Sequence, residues 1–225
     1  MKSVFVCSFA CVVLCLITGC VVLPVESVNE PVSIEELSDH VDFLTQPALK
    51  GRSPKSIESQ ITRDYLNARL KRYGCEPWGE SQTFNQNFNF GTNVIGILPG
   101  SDPNLSDEVV LISAHYDHLQ PQFGMHYPGA ADNAAAVAVL LETAEKISLS
   151  EPKPKRPICF AFFDTKEKGN LGSSAFTSRT DYNDPNIAAV INVDLLGRQF
   201  FDAVSNSLCV TGTESYPNLQ QTLQT

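Results

Sequence analysis

Three apolar runs, at 109–112, 158–163 and 187–193, alternate with helix-like stretches at about 133–147 and 173–177. That alternation restricts the architecture more than any other feature of the chain. Runs that are apolar along their whole length belong to strands buried on both faces, and the connection that brings a chain back to a parallel neighbour is usually a helix. The expected fold is therefore α/β, a three-layer α/β/α sandwich around a mainly parallel mixed sheet. Leu208-Cys209-Val210 reads as one further strand. In such sheets ligands gather beyond the carboxyl ends of strands, and His115, Glu167 and Asp194 fall at or just after such ends.

The stretch before these runs supplies packing elements. Ser33 can cap a helix that opens Ile34-Glu35-Glu36-Leu37, and Ile61, Tyr65, Leu66, Leu70 and Tyr73 recur at helical spacing before Gly74. Gly51-Arg52-Ser53-Pro54 reads as a loop between two helices. Phe84, Phe88 and Phe90 alternate with polar residues, and 94–98 ends at Pro99-Gly100, the pattern of a hairpin-like strand pair. With 225 residues, 43% of them hydrophobic, one domain is expected. A formal net charge of -9 argues against a nucleic-acid partner, and Lys153-Pro154-Lys155-Arg156 reads as a solvated loop.

Residues 1–19 have a different character. Met1-Lys2 is a short positive start, 4–17 is apolar, and Ile17-Thr18-Gly19-Cys20 closes the run. At about 14 residues the run is shorter than the ~20 needed to span a bilayer, so it reads as a secretory signal. The closing four residues resemble the bacterial lipobox. The implied mature chain is a lipoprotein that begins at lipidated Cys20, with a tether to residue 32 and the folded domain over 33–225. It would lie outside the cytoplasm, periplasmic or on the cell surface, touching the membrane through its lipid anchor alone. Cys75, Cys159 and Cys209 suit no CxxC metal site, and outside the cytoplasm one bridge among them is open; Cys159 and Cys209, inside apolar runs, read more readily as buried free thiols.

Four side chains suited to zinc stand out. His115 in His115-Tyr116-Asp117-His118 offers an imidazole, and a carboxylate two residues on, Asp117, can hold that ring or a neighbouring ligand in place. Asp132 in Gly129-Ala130-Ala131-Asp132-Asn133 opens an alanine-rich helix, where on its own it would read as an N-cap. Glu167 follows the apolar run 158–163, and Asp194 ends the run beginning at 187. A carboxylate at the end of a buried strand is costly unless it is paired or metal-bound.

Taken with Asn93-Val94-Ile95 and the stretch from Glu167-Lys168-Gly169 to Leu171-Gly172-Ser173, these motifs resemble the M28 family of zinc aminopeptidases over roughly residue 33 to the end. The resemblance implies a zinc-dependent exopeptidase that cleaves N-terminal peptide bonds of peptides or small amides with a metal-activated water. It implies two zinc ions bridged by Asp132, with His115 and Asp194 completing one site, Glu167 on the other metal, and Asp117 behind the ligands. The chain departs from the family twice. Lys166 stands where the family has its general-base glutamate, and a protonated lysine cannot accept a proton. The family's last histidine ligand also has no counterpart, since no histidine follows His126. The implied expectation is a chain shortened at its C-terminus, with His118 or His126 as substitute ligands. Three readings stand: an aminopeptidase whose activity Lys166 reduces, a non-catalytic zinc-binding relative that binds peptides or partners, and an acyltransferase like the glutaminyl cyclases.

Overall fold

The computed structural model describes residues 21–24, 32–78, 82–178, 186–198 and 207–212. In chain order its elements are β1 (Val21–Pro24), α1 (Ile34–Thr45), a 3-10 turn (Pro47–Arg52), α2 (Ile57–Arg72), β2 (Glu76–Pro77), β3 (Asn85–Phe88), β4 (Gly91–Leu98), β5 (Glu108–His115), α3 (Ala135–Leu149), β6 (Ile158–Phe163), α4 (Leu171–Thr177), β7 (Asn186–Asn192) and β8 (Ser207–Val210). Two units are present, one over Val32–Gly197 and one of 1–31 with 198–225.

In the larger unit the local rules hold. Ser33 and Ser56 cap α1 and α2, each accepting from the amide three residues on, of Glu36 and Ser59. The sheet runs β2-β4-β6-β5-β7, with β3 paired to β4. It is mixed: β6, β5 and β7 are parallel, whereas β2, β3 and β6 each pair antiparallel with β4. Parallel pairing thus belongs to the half that carries the candidate ligands.

The layers are visible in β6, all six residues of which are buried. Phe160 and Phe162 face Leu66, Leu70, Leu140 and Leu141 from α2 and α3, while Cys159, Ala161 and Phe163 pack with Phe176 of α4. That two-sided burial is why the run is apolar throughout, and it keeps Cys159 a buried free thiol, as expected. On the α1–α3 side, buried His40 bonds Glu142 Oε1 at 3.0 Å through Nε2 and the Tyr65 hydroxyl through Nδ1, joining all three helices. Burial drives the His40 pKa down to about 4, so it packs as a neutral imidazole. At the end of the described sheet, β7 leaves Ile187, Val190 and Ile191 39%, 59% and 50% exposed.

The smaller unit corrects three expectations. Val21–Pro24, expected to begin a tether, form β1, and β8 pairs antiparallel with β1 in a separate two-stranded sheet rather than joining the main one. A three-residue apolar run carries too little periodicity to tell a core strand from a surface ribbon. Cys209, expected as a buried free thiol, is exposed on that ribbon and disulfide-bonded, whereas Cys75 is free like Cys159. Cys20 and the apolar run 4–17 lie outside the described residues. Among the described residues no helix is long and apolar enough to cross a membrane.

Candidate metal centre

Register brings the ligands together. His115, the last residue of β5, lies opposite Phe163 of β6, and Ser113 lies opposite Asn192 of β7, with its hydroxyl on the Asn192 side-chain oxygen at 2.9 Å. The turns leaving three adjacent parallel strands therefore open on one spot. His115 to His118 comes from β5, Lys166 and Glu167 from a 3-10 turn after β6, and Asp194 from the segment after β7. Asp132 joins them from the turn before α3. That helix starts at Ala135 with no side-chain cap, and Asp132 has φ -127 and ψ 82, so it is not an N-cap. The cap that Asp132 would have made on its own does not form, because the chain turns once more before the helix begins.

His115 is 5% exposed, and its Nδ1 meets the Asp117 carbonyl oxygen at 3.0 Å, which directs Nε2 outward to Asp132 Oδ1 at 3.0 Å and Asp194 Oδ1 at 3.4 Å. Neither contact is aligned as a hydrogen bond, so Nε2 is a buried polar atom without a bond of its own. Such an atom, aimed at two carboxylates and held by its other ring nitrogen, is what a zinc-binding imidazole requires. Burial opposes charge on this ring, but Asp117 and Asp194 raise its pKa to about 9, so without a metal a proton takes that place. His115 in turn holds the Asp194 carboxyl below its ordinary pKa.

His115, Asp132 and Asp194 form one set of donors within 4.8 Å of one another, and His118, Asp132 and Glu167 form a second, so Asp132 is common to both. His118 Nδ1 lies 3.1 Å from Glu167 Oε1. His126 is exposed and joins neither set. Lys166 reaches into the same space, with Nζ 3.3 Å from Asp132 Oδ1, 3.8 Å from Glu167 Oε1 and 3.9 Å from Asp194 Oδ2. Partial burial disfavours its charge, but Asp194, Asp132 and Glu167 outweigh that and raise its pKa, which keeps it an ammonium.

Behind these groups is a layer of backbone ties. Asp117, fully buried, accepts the Lys166 and Glu167 amides at 2.9 and 3.2 Å and so fixes the turn that presents them. Asn133 donates to the Val193 carbonyl at 3.1 Å and accepts the Leu195 amide at 3.2 Å, stitching the Asp132 turn to the Asp194 segment. Asn93 does the same for β4, accepting the Asp164 amide at 2.9 Å and donating to Gly172 at 2.8 Å. Gly129 has φ +66, and a Cβ there would lie 2.7 Å from the His118 ring, so only glycine fits.

The largest surprise is Arg52, expected in a loop and found 1% exposed. Its guanidinium donates to the carbonyls of Tyr116 at 2.7 Å, Pro128 at 2.8 Å, Gly129 at 3.2 Å and Leu44. It clamps the turn after His115 to the segment that leads into Asp132. Burial lowers its pKa to about 10, which leaves it charged at neutral pH. Sequence reasoning missed Arg52 and Asn133 as supports; Gly51, directly before Arg52 and with its own Cβ position blocked by Leu119 and Tyr127 carbonyls, was the available signal.

The model of Peptidase family M28 matches residues 93–224. The chain is similar to a probable zinc metalloprotease of Pyrenophora teres f. teres (strain 0-1), 36% identical over 110 residues that make up 47% of this chain and 23% of that protein. It is also similar to leucine aminopeptidase 1 of Trichophyton rubrum, 25% identical over 147 residues, 63% of this chain and 37% of that protein. Among solved structures, a Zn-dependent exopeptidase from Parabacteroides distasonis ATCC 8503 shares the fold with a TM-score of 0.58 at 22% identity, covering 76% of this chain and 64% of that one. A glutaminyl cyclase from Tannerella forsythia does so with a TM-score of 0.55 at 21% identity, covering 76% of this chain and 64% of that one. The chain therefore spans less than two thirds of the length of each of these relatives.

Proposed function

Because the chain belongs to peptidase family M28, we propose that it is a zinc-dependent exopeptidase that removes residues from the free amino end of peptides or small amides. The observation that carries this reading is the orphaned His115 Nε2, buried and facing Asp132 and Asp194. One imidazole and two carboxylates are a donor set zinc accepts, with room left for a water or substrate atom. Zinc held there supplies Lewis-acid polarisation of the scissile carbonyl and lowers the pKa of a water. The chain's own residues do the rest. Asp117 fixes the Glu167 turn and faces the His115 ring.

Lys166 works against this chemistry. As an ammonium at the position where the family has its general base, it can take no proton from the attacking water, so turnover is low relative to an enzyme with glutamate there. The same observation supports a second reading, a non-catalytic zinc protein that binds peptides. A glutaminyl-cyclase-like reading also needs an acidic residue at 166 and gains no support from the site.

The deciding experiment is release of N-terminal residues from a panel of aminoacyl amides by the zinc-loaded protein. Slow turnover, abolished by a chelator and restored by zinc, is the expected result. A protein that binds zinc and turns over nothing on the panel sinks the peptidase reading in favour of the non-catalytic one.

We also place the protein outside the cytoplasm, lipidated at Cys20. The apolar leader and the lipobox-like close support this. Cells expressing the chain and fed labelled palmitate should label it, and Cys20→Ala should abolish the label. Equal labelling of both proteins, or of neither, would contradict lipidation at Cys20.

A further inference from the structure

We infer that Lys166 is a built-in cation that takes the place of a second metal, so that this chain holds a single zinc, at His115, Asp132 and Asp194. The inference rests on the proposed zinc chemistry and fixes how many ions that site takes.

Two donor sets share Asp132, which would admit a pair of ions. They are not equally available. In the first set His115 Nε2 has no bond, and its ring is already oriented by the Asp117 carbonyl. In the second set the donors satisfy one another: His118 Nδ1 bonds Glu167 Oε1, and the Lys166 ammonium lies 3.8 Å from that same oxygen. The first set offers a metal a buried nitrogen with no hydrogen bond, whereas in the second Glu167 Oε1 is already held by both His118 and Lys166.

Charge leads to the same count. The carboxylates of Asp132, Glu167 and Asp194 all lie within 4 Å of Lys166 Nζ. Three negative groups are neutralised by one dication and one ammonium together. A second dication would leave the cluster with two surplus positive charges in a partly buried space, where repulsion is weakly screened. It would also have to share Glu167 Oε1 with the ammonium, 3.8 Å away. At position 166 a side chain of the protein thus does the electrostatic work of the second ion.

Metal stoichiometry tests this without reference to activity. The protein is stripped with chelator, equilibrated with zinc, freed of loose metal, and its zinc per chain measured by mass spectrometry. Wild type is expected to hold one zinc. Lys166→Ala and Lys166→Glu are expected to hold two, His115→Ala none, and His118→Ala one. Circular dichroism and thermal unfolding identify any variant that has not folded, and two substitutions at 166 guard against loss of either. Two zinc ions in wild type, one in both folded Lys166 variants, or loss of the wild-type zinc in His118→Ala each overturn the inference. No zinc in wild type or any variant overturns the proposed zinc chemistry itself.

Discussion

Lys166→Glu is expected to raise kcat/KM for aminoacyl amides by about 10² to 10⁴, the range a well-placed general base contributes. The substitution leaves the backbone of the turn in place, because Asp117 holds the 166 and 167 amides rather than the side chains. A carboxylate at 166 would therefore face the same space as the ammonium now does, next to Asp132 and Asp194, but able to accept a proton. Lys166→Gln separates the two effects, since it removes the charge without providing a base and should recover only a small part of the rate. Steady-state kinetics of all three proteins at saturating zinc decide the matter. If Glu and Gln behave alike, position 166 influences the site through charge alone and is not where the missing base belongs.

The second large effect is structural. Arg52→Ala should destabilise the larger unit by about 4 kcal/mol, since it empties a buried volume and leaves carbonyl groups of Leu44, Tyr116, Pro128 and Gly129 without a donor. Each lost bond to a buried acceptor costs about 1–3 kcal/mol, and the four share one side chain, so the total falls short of their sum. For a unit of this size that corresponds to a fall of roughly 10 °C in Tm. Arg52→Lys should rescue little, because an ammonium is a single point and cannot span four carbonyls as a planar fork does. Thermal unfolding of the three proteins is the check. A fall in Tm under about 2 °C for Arg52→Ala would show that the clamp contributes little.

What could be read from the sequence, and what could not, divides along physical lines. The β5, β6 and β7 runs and the helix capped by Ser33 were legible because each is specified locally, by period, β-branched and aromatic content, or a capping hydroxyl. His115, Glu167 and Asp194 were legible because strand ends are where such a sheet gathers ligands, and the structure brings them together with Asp132. Arg52 was not. An arginine beside glycine and proline is ordinarily solvated, and its burial depends on carbonyls from segments far along the chain, which no local pattern records. His118 was visible only as a substitute ligand, because its partner Glu167 lies on the turn after another strand. The misreadings of β8 and Cys209 share one cause: three apolar residues fit a ribbon as well as a core.

The sheet's margin has a consequence for handling the protein. Among the described residues β7 pairs only with β5, and its two faces carry Ile187, Val190 and Ile191 in contact with solvent. Where such an edge is left open, an apolar strand is a template for pairing with another chain. Crowding would then favour self-association along this border, and because Asp194 lies two residues beyond β7, strand addition there would also disturb that ligand. Colloidal behaviour and metal retention would then be coupled, so that aggregates of this protein would be poor in zinc.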